Sequence, residues 1–205
     1  MEHKWLDWAQ RIQAVSQAGL AFSKDKFDRE RYEQLRDISA EILDEYSTIE
    51  FENAIDFYHA QEGYPTPKVD GRGVVFKEGK LLLVREEHDD CWALPGGFCE
   101  VGISPSENII KEIEEESGFQ TIPVKLLALL DYKKHPHPPQ PFHYYKIFIE
   151  CRIVGGDARN GLETKDVKFF PRDNLPALST KRNTESQINM LFDYLENPYK
   201  APVID

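Results

Sequence analysis

The chain has 205 residues, of which 40% are apolar, and it carries a formal net charge of -11 at pH 7. This apolar content is sufficient for a packed core and excludes a disordered composition. The acidic balance argues against binding nucleic acid or an anionic membrane by charge alone, so an anionic substrate would need a bridging cation.

Targeting and redox signals are sparse. The sequence has no apolar run long enough to span a membrane, and its N-terminal residues lack the apolar region of a signal peptide. The three cysteines, Cys91, Cys99 and Cys151, show no paired spacing, which is typical of a reducing compartment. We therefore predict a cytoplasmic protein with no membrane partner.

The first third of the chain is predicted to be helical. Apolar residues recur at helical intervals over residues 5–22 and 27–46. Ser47 and Glu50 have the spacing of a capping box and predict a third helix after residue 46. The proline-rich segment 63–67 then interrupts helical structure. These features predict a helical domain over residues 1–64 and a second domain over residues 68–205.

The second domain is predicted to mix strands with helices. A turn at residues 78–80 separates apolar residues 74–76 from 81–84, which indicates a β-hairpin. Further strands are predicted at residues 124–130, 144–153 and 167–170, and a last helix from about residue 184 to 195. The fold class predicted for the whole chain is α+β.

One helix of the second domain is unusually acidic. Ser104, Pro105 and Glu107 form a strong start signal, and Gly118 is the matching stop. Between them, three glutamates lie at spacings that place them close together, and such like charges destabilise a helix by about 0.2 to 0.5 kcal/mol per pair. The three residues are Glu112, Glu115 and Glu116.

A hard divalent cation would offset this repulsion, because carboxylate oxygens are preferred ligands of Mg²⁺ and Mn²⁺. The preceding glycine pair brings backbone close to the helix, and the carbonyl of Gly96 is predicted to be a further ligand. The alternative is an acidic face exposed to solvent.

The spacing of this segment resembles the Nudix box. Gly97, Lys111-Glu112-Ile113, Glu115-Glu116 and Gly118-Phe119 match that pattern. Ile103 stands where the family usually has a glutamate, and Lys111 where it has an arginine; that pair commonly braces the loop and helix. Lys111 is predicted to pair with Glu107 instead. The resemblance implies an α/β/α sandwich with a mixed sheet, preceded here by a small helical domain.

The resemblance also implies hydrolysis of a nucleoside diphosphate linked to another group, with Mg²⁺ or Mn²⁺ as cofactor. Glu112 and Glu116 are the principal metal ligands that it implies, and Glu115 is a third ligand or the general base. Glu163 is a second candidate for the base, with a solvent-facing loop residue as the alternative. Arg85 is predicted to contact substrate phosphate, with a surface ion pair as the alternative.

The helical extension resembles that of a bacterial Nudix subgroup, most closely the CDP-choline pyrophosphatases, and implies cleavage of CDP-choline to CMP and phosphocholine. The alternatives are ADP-ribose hydrolysis, trimming of RNA ends, and a non-catalytic module that binds nucleotides. A choline group would need aromatic faces around it, and four aromatic residues are candidates for this role. The alternative for each of them is packing in the core. These candidates are Trp92, Tyr132, Phe142 and Tyr144. The amphipathic helices predict a homodimer.

Overall fold

The computed structural model describes residues 4–46, 58 and 61–205. The chain divides into two compact units, one of residues 1–67 with 139–143 and the other of residues 68–138 with 144–205. The third helix predicted after Ser47 lies outside the described residues. None of the helices in the described ranges has both the length and the apolar character that crossing a membrane requires.

The first unit contains helices α1 (Lys4–Phe22) and α2 (Lys26–Tyr46). The Ser39 hydroxyl on α2 donates a hydrogen bond of 2.7 Å to the Ala9 carbonyl on α1, and both partners are buried. Leu43 and Tyr58 are buried in the same apolar cluster. The Tyr58 hydroxyl donates to the Pro141 carbonyl at 2.8 Å, which ties residues 139–143 to this unit.

The buried face of α1 differs from the apolar stripe that predicted the helix. Its buried residues are mostly small or polar: Leu6, Ala9, Gln13, Ser16 and Gln17. Trp8 is 55% exposed and Val15 is 58% exposed. Small residues let two helices approach closely, so the larger apolar side chains are left on the outer surface of α1.

The second unit contains the remaining elements. The strands are β1 (Lys68–Lys77), β2 (Lys80–Glu86), β3 (Trp92–Ala93), β4 (Phe119–Asp131), β5 (Tyr144–Gly156), β6 (Thr164–Phe170) and β7 (Val203–Ile204). The helices are α3 (Pro105–Ser117) and α4 (Glu185–Glu196), with a 3₁₀ turn at Tyr132–Lys134. Strands β1, β4 and β6 begin earlier than predicted because their first residues are polar or lack the apolar alternation on which the prediction depended.

The strands of this unit form a mixed sheet in the order β3-β2-β1-β5-β4-β7, with β6 paired to β2. Strand β1 runs parallel to β5, from Lys68 opposite Tyr144 to Val75 opposite Cys151. The predicted hairpin joins β1 and β2 through Glu78 and Gly79, whose φ angles of 52° and 73° are those of a tight hairpin turn.

The two faces of the sheet bury separate apolar clusters. Ile109 and Ile113 of α3 pack with Val75 and Leu82 on one face. Leu191 of α4 packs in the other cluster, which includes Val74, Leu127 and Phe148. Because successive residues of a strand point to opposite faces, Val74 and Val75 enter different clusters. The arrangement confirms the predicted α/β/α sandwich with a mixed sheet.

Candidate active site

Helix α3 has the ends that the sequence predicted. Ser104 is its N-cap, with Ser104 Oγ accepting from the Glu107 amide and Glu107 Oε2 accepting from the Ser104 amide at 2.8 Å. Gly118 ends the helix with φ 78°, and its amide donates to the Glu114 carbonyl at 2.9 Å. Local hydrogen bonding therefore fixes both ends of the helix that carries the three glutamates.

The glycine loop before α3 is held against strand β1. The Gly71 amide donates to the Gly97 carbonyl at 2.8 Å, and the Gly73 amide donates to the Pro95 carbonyl at 2.8 Å. Gly96 has φ 138°, and a Cβ at this position would lie 2.1 Å from the Gly71 carbonyl oxygen. Only glycine fits this close approach of two backbone segments.

Replacing Gly96 by alanine is therefore expected to disrupt the loop. Gly102 is a matched control, because its φ of 97° is also positive but nothing lies within 4 Å of the point that a Cβ would occupy there. Both substitutions carry backbone strain of about 1 to 3 kcal/mol, and only Gly96→Ala adds a clash with backbone. We expect Gly96→Ala to lower the free energy of unfolding by about 2 kcal/mol more than Gly102→Ala in urea titrations. Equal losses would contradict this account of the loop.

Glu112 and Glu116 point from α3 toward the glycine loop. Glu116 Oε2 accepts a hydrogen bond of 3.0 Å from the Gly96 amide. A Cβ at Gly97 would lie 3.2 Å from Glu112 Oε1. Burial raises the pKa of Glu116 to about 8, against the opposing charge of Arg72, and the carboxylates of Glu86 and Glu112 raise it further. Burial and the neighbouring Glu115 also raise the pKa of Glu112.

Glu115 takes a different direction from the other two glutamates. Its side chain is 59% exposed and lies 3.6 Å from Lys111 Nζ. Lys111 also donates a hydrogen bond of 2.6 Å to Glu100. The predicted Lys111–Glu107 pair is therefore wrong, because the carboxylate of Glu107 is engaged by its own N-cap. Ile103 has no charge with which to pair with Lys111, and the Glu100–Lys111 ion pair connects the loop to the helix instead.

The donor set suits a hard divalent cation. Two glutamates and a glycine backbone loop supply only oxygen ligands, and burial, with a smaller contribution from neighbouring carboxylates, raises the pKa of Glu112 and of Glu116. Within residues 4–46, 58 and 61–205, no three acidic, histidine or cysteine side chains are already grouped as a metal site.

The other residues predicted for the site lie on β2 and on the turn before β6. Arg85 Nη2 pairs with Asp90 at 2.6 Å, so its guanidinium is engaged at the surface. The Glu163 carbonyl accepts from the Glu87 amide at 2.9 Å, and its side chain is exposed. The charge of Glu163 contributes to the raised pKa of Glu86, whose main cause is burial. Glu163 therefore lies within electrostatic reach of Glu86, which in turn acts on Glu116.

Glu86 is a buried carboxylate that the sequence reasoning missed. It ends β2 and is 3% exposed. Arg182 Nε lies 2.8 Å from Glu86 Oε1, in an ion pair that lacks the alignment of a hydrogen bond. The apolar run that predicted β2 ends before this residue, so periodicity alone gave no sign that it turns inward.

A buried group of charges under the glycine loop was also missed. Arg72 donates to Asp70 Oδ1 at 2.8 Å and to the Leu94 carbonyl at 3.2 Å. Lys146 Nζ forms an ion pair with Asp70 Oδ2 from the neighbouring strand. Burial raises the pKa of Asp70, but the charges of Arg72 and Lys146 outweigh burial and hold that pKa below its usual value. Asp70 and Arg72, two residues apart in a strand, were the signal available in the sequence.

Four rings form a row in the second unit. Phe98 stacks on Tyr144 with centroids 5.5 Å apart, and Tyr144 meets the edge of Tyr132 at 5.5 Å. Tyr132 in turn stacks on His137 at 4.1 Å. The His137 ring is held by the Thr180 carbonyl at Nδ1, 2.7 Å away. Of the aromatic residues named for a choline group, Trp92 packs in the core and Tyr132 is buried.

The burial of His137 predicts a loss of stability in acid. Burial is the main reason that the pKa of His137 is lowered to about 4. The charge of Lys146 lowers this pKa further, and the hydrogen bond to the Thr180 carbonyl raises it. The unfolded chain therefore takes up a proton near pH 6.5 that the folded chain refuses until about pH 4. The contribution of neutral His137 to the free energy of unfolding is fully present above about pH 6.5, and about 1 to 3 kcal/mol of it is lost as the pH falls toward 4. His137→Gln should flatten this part of the pH profile in urea titrations; an unchanged slope would contradict the assignment.

Comparison with known proteins agrees with this geometry. A family model described as "NUDIX domain" matches residues 67–192. The chain belongs to the Nudix family. Its first residues match a second model, described as "UDP-X-like, N-terminal oligomerisation domain", over residues 3–58. The Nudix match covers the glycine loop, α3 and strands β1 to β6, so the chain is a Nudix hydrolase.

Three named proteins are similar to this chain, two of them over nearly its whole length and one over about two thirds of it. A Bacillus subtilis (strain 168) protein named "Putative ADP-ribose pyrophosphatase YjhB" is 58% identical over 205 residues, covering 100% of this chain and 99% of that protein. The crystal structure of a UDP-X diphosphatase is 39% identical with a TM-score of 0.65, and the match covers 98% of each chain. An ADP-ribose pyrophosphatase from Streptococcus suis 89-1591 is 36% identical with a TM-score of 0.61, over 68% of this chain and 100% of that chain.

Proposed function

We propose that this Nudix hydrolase cleaves the pyrophosphate of a nucleoside diphosphate linked to a sugar, with ADP-ribose as the first substrate to test and Mg²⁺ or Mn²⁺ as cofactor. The observation that carries the proposal is the placement of Glu112 and Glu116 of the Nudix helix against the backbone of Gly96 and Gly97. Two of the relatives described above are named for ADP-ribose and one for UDP-X.

The site residues are proposed to have two roles, binding of the cation and acceptance of a proton from water. Glu112, Glu116 and the Gly96 carbonyl would hold the cation, which would supply positive charge to the phosphate oxygens. Water forms a bond to phosphorus while the anhydride P–O bond breaks, and a carboxylate accepts the proton of the water. For ADP-ribose the products are AMP and ribose 5-phosphate. Arg85 can reach phosphate only after leaving Asp90.

Glu163 is favoured over Glu115 as the general base. The carboxylate of Glu115 lies 3.6 Å from Lys111 Nζ and is already engaged in an ion pair. Among the residues that the structure describes, no cation pairs with the Glu163 carboxylate. If Glu163 is the base, Glu163→Gln lowers kcat by about 10² to 10⁴-fold, whereas Glu115→Gln has a smaller effect. The reverse order would assign the role to Glu115.

A substrate panel tests the proposal. Purified protein with Mg²⁺ is given ADP-ribose, a UDP-sugar, CDP-choline and short RNA, and the products are identified by chromatography. We expect AMP from ADP-ribose at the highest kcat/KM. CDP-choline remains our sequence prediction, and CMP release with no AMP from ADP-ribose would favour it. Shortened RNA with no other product would favour RNA trimming, and no turnover of any substrate would favour a binding module.

A cytoplasmic location stays a prediction.

We also propose that the chain forms a homodimer through its helical unit. Trp8, Val15 and Phe22 follow one another at intervals of seven residues along α1, and they are 55%, 58% and 68% exposed. This is the spacing at which one helix presents a continuous apolar seam to another. An exposed seam of this kind marks an interaction surface, and the second family model describes an oligomerisation domain.

The double substitution Trp8→Glu with Val15→Glu is expected to weaken self-association by at least about tenfold. Tyr199→Glu is the control, because Tyr199 is 97% exposed in the second unit and is not on this seam. Sedimentation equilibrium at micromolar concentration should find the parent and the control as dimers and the double variant as a monomer. A monomeric parent would contradict the proposal.

A further inference from the structure

The ring of Phe98 has one covered face and one open face. It is 56% exposed although one of its faces is covered by the stacked Tyr144 ring. The interplanar angle of 21° means that the two rings are nearly parallel, so the opposite face of Phe98 is the one left open. The open face of Phe98 is therefore available for a planar ligand.

The ring is also held rigidly. The Phe98 backbone is fixed to β1 by a bridge to Asp70, and the next amide, Cys99, donates to the Val69 carbonyl at 2.9 Å. Behind Phe98, Tyr144 is backed by Tyr132, whose hydroxyl donates to the Pro138 carbonyl at 2.7 Å. Little rotamer freedom remains to be lost when a ligand binds such a ring.

Phe98 lies on the face of the sheet that carries the buried charges. It bridges Asp70 of β1, and because successive extended residues point to opposite faces, its ring lies opposite to Gly97, whose Cβ position is 3.2 Å from Glu112 Oε1. Tyr144, beneath it, shares one face of β5 with Lys146, which is two residues further along the strand and pairs with Asp70. A planar group on the open face of Phe98 would therefore lie on the same face of the sheet as Asp70 and Arg72, and the charge of Arg72 acts on Glu116.

We propose that Phe98 is the stacking platform for the base of the nucleotide substrate, and so a substrate-binding residue. The inference rests on the proposed function for the identity of the substrate class. Every base presents a π-face, and its stacking on an aromatic side chain is sensitive to the loss of the ring and tolerant of the base. Purines, with the larger face, are expected to bind more tightly than pyrimidines.

The experiment measures AMP binding by calorimetry in EDTA, so that the glutamate site makes no metal-dependent contribution. Three forms are compared: the parent, Phe98→Leu, which keeps apolar bulk without a ring, and Phe98→Trp, which restores one. We expect Phe98→Leu to weaken AMP binding about tenfold and Phe98→Trp to restore it to within about twofold. Ribose 5-phosphate, which has no base, should bind the parent and Phe98→Leu equally.

Turnover gives a second readout. With Mg²⁺ and ADP-ribose, Phe98→Leu should raise KM about tenfold and leave kcat within about twofold. Equal AMP affinity in the parent and Phe98→Leu would overturn the inference, as would no AMP binding by the parent at millimolar concentration. Weakened phosphocholine binding with unchanged AMP binding would also overturn it, because the ring would then hold a cation. The AMP comparison uses neither metal nor turnover, so it tests the role of Phe98 even if the proposed reaction is not observed.

Discussion

Replacing Glu116 by glutamine is expected to reduce pyrophosphatase turnover with Mg²⁺ by at least about a hundredfold. Glu116 is partly buried, and its carboxylate accepts a hydrogen bond from the Gly96 amide at 3.0 Å. Glutamine keeps the size of the side chain and an oxygen for that hydrogen bond, but it removes the charge that would hold a divalent cation. The change therefore separates cation binding from packing.

The folded state should tolerate this substitution. Burial raises the pKa of Glu116 to about 8, so without metal its carboxyl group is neutral at pH 7, as glutamine is. Thermal unfolding in EDTA at pH 7 should be the same for the parent and Glu116→Gln, whereas Mg²⁺ should stabilise only the parent. Glu114→Gln, on the same helix, is the control and should keep both turnover and the response to Mg²⁺. Full activity of Glu116→Gln would remove the proposed function.

Replacing Asp70 by asparagine is expected to have the largest effect on stability. Asp70 is 6% exposed, and it pairs with the guanidinium of Arg72 and the ammonium of Lys146, which are also buried. Without its carboxylate, two buried cations remain without their principal counter-charge. Removing one partner from a buried ion pair typically lowers the free energy of unfolding by about 3 to 5 kcal/mol, and urea titration at pH 7 should find a loss of this size.

A second substitution tests whether charge is the cause. Lys146→Met removes one of the two cations and keeps the apolar length of the side chain. If Asp70 and Lys146 stabilise one another, Asp70→Asn should be less destabilising in the Lys146→Met background than in the parent, by at least about 1 kcal/mol. Arg72 remains in this background. Burial lowers its pKa, but the charge and hydrogen bond of Asp70, and then the charges of Glu116 and Glu86, raise that pKa above its usual value. Additive effects of the two changes would indicate that packing, and not charge, accounts for the loss.

The residues that the sequence placed correctly are those governed by contacts close along the chain. The cap at Ser104, the stop at Gly118 and the turn at Glu78 and Gly79 each depend on hydrogen bonds or φ angles within about four residues. The spacing of Glu112 and Glu116 on one helix face also follows from helix geometry alone. For these features, the order of residue types was sufficient to predict the structure, and with it the helix that carries the candidate metal ligands.

Tertiary structure alone decided which partner each charged side chain takes. Lys111 pairs with Glu100, 11 residues away, and not with Glu107, because the helix cap engages Glu107 first. Lys146 reaches Asp70 across 76 residues because β1 and β5 run side by side in the sheet. Helical and strand periodicities repeat over 3.6 and 2 residues and carry no information about such distances. Strand order set the buried charges under the glycine loop, and packing set the outward direction of Glu115.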